Sequence, residues 1–509
     1  VITRHLRQIK LILMKSQSSS LISSSTSDAP LERSLLWVAN FGEIKAAFHE
    51  PTFLARAALL GLPVVIRRPY ISPIMLFTLD PTYQDNTPFI KQIEVVESFL
   101  ASLTLIKAYG FVLASASSYI ELLGESSMRA ANASLKHFLD AVVMPYSESI
   151  RYRFDSNIVG EKVANSQKTQ LYAEIIQRLP ALQSLSCDLT NYNVRFMLIN
   201  ECLQMHGKKE KANILPGTSH QQSGSVVLAV STSKYLGSMM RYKLKTYQLP
   251  DRVFLGPTSM DHELAFIMCE VAGVKPGDIV CDPFAGTCSI LVSAASYGCI
   301  TIGGDLNIRV LRGKSTGENF SKNFLQYGLP QPIISHHDVN RIAYQCLCID
   351  AILCDPPYSI RAGSRKGKAA DVAHPAESVG DTDNLVTDTV VTRSWNYNKF
   401  SVASQHQDTA DIFLSVLKFA AWTLKLDGHL VFWMPYLVNE FTEDDIPAHP
   451  DFLCLYHLPQ QMTMLYGRRM CVLKRISTEG VSHNPFYKRY PSHANFSEKI
   501  GFHKSVCKL

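Results

Sequence analysis

In the second half of the chain, short apolar runs alternate with stretches whose apolar residues recur every three or four positions. The runs read as strands at 279–282, 301–305, 333–335, 350–354, 429–433 and 470–474. The stretches between and before them read as helices at 261–271, 289–297, 308–324 and 411–424. Alternation of this kind predicts an α/β domain, a mostly parallel sheet with helices on both faces. The first half is less regular. Strand-like runs at 35–39, 75–79, 193–199 and 224–230 and helical spacing at 50–60 and 92–105 predict a mixed α+β region. The apolar stretch 99–123 is interrupted by Lys107, Glu121 and several serines, which suits a buried helix better than a membrane span. Tyr247-Gln-Leu-Pro-Asp251 reads as a linker, and a polar segment rich in Gly, Ser, Asp and Lys over 359–407 reads as a functional lid or a disordered insertion. The expected organisation is a leader over 1–33, an α+β region over 34–247, an α/β domain over 250–477 and a tail over 478–509.

A chain of 509 residues is too long for one core, in keeping with that division. Its net charge of +6 permits a polyanionic partner without requiring one. The twelve cysteines include no C-x-x-C pair, and no histidine cluster accompanies them, so buried thiols in a reduced intracellular protein are expected, with no structural metal. The leader carries Arg4, Arg7, Lys10 and Lys15 with no acid before Asp28, followed by a serine-rich run. That composition resembles a mitochondrial transit peptide. The plainer reading, a disordered leader or translated sequence ahead of a start at Met14, is preferred.

The chemistry concentrates at strand ends. Asp282-Pro283-Phe284-Ala285-Gly286-Thr287 follows the first strand of the alternating region and leads into a helix. Small residues there let backbone approach a ligand, and Asp282 suits an amine or ammonium. Asp305, followed by Leu306, ends the next strand 19 residues past Gly286, where a carboxylate can accept both hydroxyls of a ribose. The turn lacks the G-x-G-x-x-G that cradles a pyrophosphate, so S-adenosyl-L-methionine fits better than a dinucleotide or ATP. Asp338, after the third strand, either accepts from an adenine amino group or caps a helix. Thr258-Ser259-Met260-Asp261 has the form of a capping box and is a candidate contact for the methionine part of the cofactor.

Ala351-Ile-Leu-Cys-Asp355-Pro356-Pro357-Tyr358 runs an apolar strand into two prolines, which fix the backbone and remove two N–H donors. The groups left to face a cleft are acceptors, the Asp355 carboxylate and the Pro356 carbonyl. Two acceptors can take the two N–H bonds of an exocyclic amine and aim its lone pair at an electrophilic methyl. Tyr358 offers a face for a base to stack on. Asp355, Pro356, Pro357 and Tyr358 are the candidate catalytic positions.

With Gly256-Pro-Thr-Ser-Met-Asp261, Gly304-Asp-Leu-Asn-Ile-Arg309 and Asp355-Pro-Pro-Tyr-Ser-Ile-Arg361 added, the sequence resembles the catalytic subunits of tRNA (guanine-10-N2) methyltransferases from about 254 to 362, and more loosely from 35 to 247. The resemblance implies a Rossmann-like methyltransferase domain with a mostly parallel seven-stranded sheet, preceded by a THUMP-type tRNA-binding region. It implies N2 methylation of a guanine in tRNA in the cytoplasm, without a membrane. It also implies a small zinc-binding methyltransferase activator subunit that covers an apolar sheet edge. On the matching positions Asp355, Pro356 and Tyr358 are catalytic, and Asp282, Gly286, Asp305 and Asp338 hold the cofactor. Cys288 stands where the family usually has glycine, which would crowd the cofactor if the backbone there needs a positive φ. The segment after Arg361, with Arg365, Lys366 and Lys368, is atypical and reads first as a solvated charge run. Two other functions compete: amino methylation of another RNA or DNA base, and a catalytically silent RNA-binding scaffold.

Overall fold

The computed structural model describes residues 35–478 apart from 42–44, 68–72, 148, 160–163, 202–224, 234–236, 257–258, 314–317, 342–343, 358–364, 368–403 and 407–408. The expected leader and nearly all of the expected tail and insertion therefore lie outside the described residues. What is described of the insertion is a short antiparallel ribbon pairing 365–367 with 404–406.

The first half builds an eight-stranded sheet from β1 (Trp37–Asn40), β2 (Val64–Ile66), β3 (Ile74–Leu79), β4 (Ala108–Ala116), β5 (Arg151–Val159), β6 (Ser186–Cys187), β7 (Val194–Glu201) and β8 (Ser225–Ser231), in the order β2-β3-β1-β4-β8-β7-β5-β6. Only the β5–β7 and β5–β6 pairs are parallel. Among its helices are α1 (His49–Leu59), α2 (Phe89–Ala101), α3 (Glu125–Phe138) and α4 (Asn165–Arg178). The stretch over 99–123 corrects the expectation of a buried helix. Its centre is β4, an inner strand whose first six residues are all buried. Runs of Tyr, Phe, Val and Leu suit a pleated surface covered on both sides. Among the described residues no helix is long and apolar enough to cross a membrane.

The second half builds a seven-stranded sheet. Its strands are β9 (Ile279–Asp282), β10 (Ile300–Asp305), β11 (Ile333–His336) and β12 (Ile349–Cys354), then, past the ribbon strands β13 (Arg365–Gly367) and β14 (Ser404–His406), β15 (Leu424–Leu437), β16 (Phe452–Gln461) and β17 (Tyr466–Arg475). The order is β11-β10-β9-β12-β15-β17-β16, parallel except for β17 and β16. This is a doubly wound, Rossmann-like methyltransferase arrangement. Helices α5 (His262–Val271), α6 (Ser289–Ser296), α7 (Ile308–Arg312), α8 (Phe320–Gln326) and α9 (Thr409–Thr423) complete the alternation. From β9 the chain winds outward through β10 to β11 and then returns to β12 on the other side. The crevice between the carboxyl ends of β9 and β12 is thus the topological switch point, where open α/β sheets bind ligands. Asp282 ends one of these strands and Asp355 follows the other.

Two details differ from expectation. The single helix expected over 308–324 is broken. Gly313 takes a positive φ of 75° and donates its N–H to the Val310 carbonyl, ending α7, and α8 starts afresh on the Asn319 cap. Strand β16 was not anticipated. It contains Pro459, which an edge strand tolerates because one of its sides carries no ladder.

The two halves meet at defined contacts. On α5, Glu270 is buried and its Oε1 accepts from the Thr104 N–H at 2.6 Å, the Thr104 hydroxyl at 2.5 Å and the Tyr297 hydroxyl at 3.1 Å. Lys45 pairs with Glu263 near the start of α5. Phe48 packs edge-on against Trp433 of β15, with ring centroids 6.1 Å apart.

Candidate active site

The turn after β9 is pinned to the end of β10. The Ala285 N–H donates to the Gly304 carbonyl at 2.8 Å, and the Gly286 N–H donates to Asp305 Oδ2 at 2.9 Å. Gly303 and Gly304 permit this approach. A Cβ on Gly303 would lie 2.6 Å from the Ile334 side chain, and one on Gly304 would lie 2.7 Å from that of His337. Pro283, Ala285 and Thr287 are buried, while Phe284 and Gly286 are half-buried. Gly286 takes a φ of 50°, and Cys288, two residues on, is left-handed in its turn, with φ 62° and ψ 26°. The position usually occupied by glycine therefore does need a positive φ. The Cys288 side chain is buried, and a non-glycine residue in this region costs on the order of 1 kcal/mol.

Three carboxylates gather at the strand ends. Asp282 is almost wholly buried, and Phe284 donates its N–H to Asp282 Oδ1 at 2.9 Å. Burial pushes its carboxyl well above the usual range, and the neighbouring Asp305 and Asp355 push it in the same direction. Asp305 is likewise raised by burial, against the pull of the N–H groups of Asn307 and Gly286. Among the described residues neither acid has a salt-bridge partner. The donor set fits a cofactor that brings its own positive charge to Asp282 and a pair of hydroxyls to Asp305.

Ser259 and Asp338 hold backbone. Ser259 Oγ lies 2.8 Å from Thr287 Oγ1 and accepts from the Gly256 N–H, tying the segment before α5 to the turn after β9. The helix cap is Asp261, whose carboxylate accepts from the Leu264 N–H at 3.0 Å, rather than the Thr258 expected from sequence. Thr258 itself lies outside the described residues. Leu306 is half-buried, and its carbonyl lies 2.9 Å from His336 Nε2. Asp338 opens no helix. Its Oδ1 accepts from the Asn340 N–H and side-chain amide at 3.0 and 2.9 Å, which closes a turn.

On the other side of the crevice, β12 is buried from Ala351 to Cys354 and delivers half-buried Asp355, buried Pro356 and half-buried Pro357. Tyr358 lies outside the described residues. Sequence reasoning missed Arg468 of β17, whose Nη1 lies 3.4 Å from Asp355 Oδ2. It also missed Trp433 and Gln460, which hold that guanidinium: its Cζ sits 4.2 Å from the Trp433 ring centroid, and Nε donates to Gln460 Oε1 at 2.8 Å. The apolar stretch around Trp433 and the arginine pair 468–469 were visible in the sequence, but nothing there related them to Asp355.

Residues 250–371 match a family described as RMKL-like, methyltransferase domain. Over 312 residues the chain is 31% identical to the tRNA (guanine(10)-N(2))-methyltransferase of Schizosaccharomyces pombe, covering 60% of this chain and 62% of that one. It is 32% identical over 263 residues to the Saccharomyces cerevisiae protein of the same name, covering 51% and 59%. It is 26% identical over 417 residues to the Homo sapiens protein TRMT11, covering 77% and 84%. The chain spans about three fifths of the length of the two fungal relatives. By its strand order and by these matches, the second half of the chain is a Rossmann-like methyltransferase domain similar to those of tRNA (guanine(10)-N(2))-methyltransferases.

Proposed function

We propose that this protein transfers a methyl group from S-adenosyl-L-methionine to the exocyclic N2 of a guanine in tRNA, at position 10. The observation that carries the reading is the pairing, across the switch point, of an acid-lined glycine turn with the acceptors of Asp355-Pro356. When bound, S-adenosylmethionine supplies an electrophilic methyl on a positively charged sulfur. Asp282 and Asp305 would hold the cofactor through its ammonium and ribose hydroxyls, Gly286 would let it lie close to backbone, the turn 283–287 with Leu306, Asp338 and Ser259 would frame it, and Thr258 is assigned to the same group by the resemblance alone. Asp355 and the Pro356 carbonyl would accept the two N–H bonds of the guanine amine, so that its lone pair leaves conjugation with the ring, and the proton that the nitrogen sheds on gaining the methyl would pass by way of the Asp355 carboxylate to solvent. Pro357 stiffens the segment, and Tyr358 is assigned the stacking face for the unstacked base.

Residues 34–247 are assigned to holding tRNA, on the resemblance to THUMP-type proteins and on the names of the relatives. A small zinc-binding activator subunit is assigned to the edge of the seven-stranded sheet. What speaks for that edge is that β11 has a sheet neighbour on one side only among the described residues. Work in the cytoplasm follows from the same resemblance.

The test is methyl transfer from labelled S-adenosylmethionine to unmodified tRNA, with nucleoside digestion and mass analysis, run with and without the activator subunit. The product expected is N2-methylguanosine, and Asp355→Ala lowers the rate by about a thousandfold. A methylated adenine or cytosine would move the reading to another base. No product from folded protein under either condition would favour the silent RNA-binding scaffold.

A further inference from the structure

We infer that Arg468 is the positioning residue for the Asp355 carboxylate, a role that rests on the methyl-transfer reading above. Asp355 stands at the end of a strand whose neighbour ends in the buried carboxylate of Asp282, and like charges in one crevice repel. An acceptor that must meet an amine N–H within a few tenths of an ångström cannot be left to that repulsion alone. Arg468 supplies a fixed countercharge. Its guanidinium is held from three directions: the face lies over Trp433, Nε is bound to Gln460 Oε1, and Nη1 reaches Asp355 Oδ2. The side chain is only 15% exposed, so the pair is poorly screened by solvent. Trp433 cannot shift readily, because it is fully buried in β15 and braced by Phe48.

The next residue makes the assignment specific. On a strand, successive side chains point to opposite faces. Arg469 Nη1 lies 2.9 Å from His457 Nδ1 and donates to the His457 carbonyl at 3.2 Å, and its Cζ sits 3.5 Å from the Phe441 ring centroid. Of this arginine pair, only Arg468 faces the crevice. A planar guanidinium suits the post because it stacks and bonds at once, which a lysine ammonium cannot do.

The experiment compares the full chain with Arg468→Ala and Arg468→Lys. It measures single-turnover methyl transfer to tRNA, calorimetric affinity for S-adenosylmethionine, affinity for tRNA, and crystal structures of parent and variants. Arg468→Ala is expected to lower the single-turnover rate about 100-fold while both affinities stay within about threefold. Its Asp355 carboxylate should turn away from the parent position. Arg468→Lys keeps the charge without the stack, and should recover about tenfold of the loss. If Arg468→Ala is poorly folded, Arg468→Lys carries the test by its own rate deficit at unchanged affinities. A rate within about threefold of the parent in either variant would overturn the proposal. So would an Asp355 that keeps its place without the arginine. If the parent itself methylates no tRNA, the functional reading fails, and the position of Asp355 in the structures still decides whether Arg468 holds it.

Discussion

The two sheets treat buried charge in opposite ways. In the eight-stranded sheet and the helix α2 beside it, buried charges are met by side chains of the same half. Arg195, which is 4% exposed, pairs with Asp155 at 2.6 Å, stacks on Tyr192 and shares Asp155 with Arg153. Glu97 is likewise surrounded by its own donors, the hydroxyls of Ser231 and Thr232 and the Thr232 N–H. In the seven-stranded sheet Asp282 and Asp305 stand at strand ends with backbone N–H groups as their hydrogen-bond donors. The first arrangement finishes its electrostatics during folding. The second leaves two carboxylates with no salt-bridge partner among the described residues, and that difference marks the proposed site off from the scaffold more sharply than burial does.

Three perturbations sharpen the contrast. The largest effect is expected where a closed network is opened. Arg195→Ala leaves Asp155 half-matched in a buried setting and should lower unfolding stability by about 3–5 kcal/mol, measured by urea denaturation. A loss under about 1 kcal/mol would show that Arg153 suffices for Asp155. Next comes the open side. Asp282→Asn removes an acid whose burial is costly, so the fold should be no less stable, while affinity for S-adenosylmethionine should drop about 100-fold by calorimetry. Equal losses in stability and affinity would place Asp282 with the scaffold instead.

The smallest effect concerns the seam between the sheets. Burial raises the Glu270 carboxyl to about 7, against the lowering pull of its Thr104 and Tyr297 donors. A carboxyl raised on folding adds stability that is complete below its unfolded value and fades as pH climbs through the folded one. The protein should therefore lose about 2 kcal/mol between pH 5 and 8 from this group. Glu270→Gln should flatten that slope, and a slope unchanged in the variant would assign it to other groups.

Much of the seven-stranded sheet was legible because its signals are local. The apolar run 351–354 followed by two prolines can hardly be anything but a buried strand that stops. The 19-residue spacing from Gly286 to Asp305 is set by one helix and one strand. Both acids do meet the turn after β9, Asp282 at the strand end that leads into it and Asp305 hydrogen-bonded to it. What was illegible is long-range or conformational. Arg468 lies 113 positions from Asp355, and a Gly-Arg-Arg run reads as surface charge until the antiparallel β17 folds back beside β15. The left-handed backbone at Cys288 is invisible because a cysteine gives no sign of it, unlike a glycine. The stretch 99–123 misled because its central apolar residues, Tyr109 and Phe111 to Leu113, suit a doubly covered strand as well as a helix. Length and the flanking serines did not separate the two.

The contacts between the halves have a consequence for inheritance. Thr104 answers Glu270 across the seam, and Phe48 answers Trp433 beneath the arginine that faces Asp355. Such pairs must travel together. A recombinant that takes its first half from one lineage and its second from another keeps every motif intact and can still separate a buried acid from its donors, or a ring from its brace. The seam therefore couples the two halves: a change at Thr104 or Phe48 in the first is felt at Glu270 or Trp433 in the second.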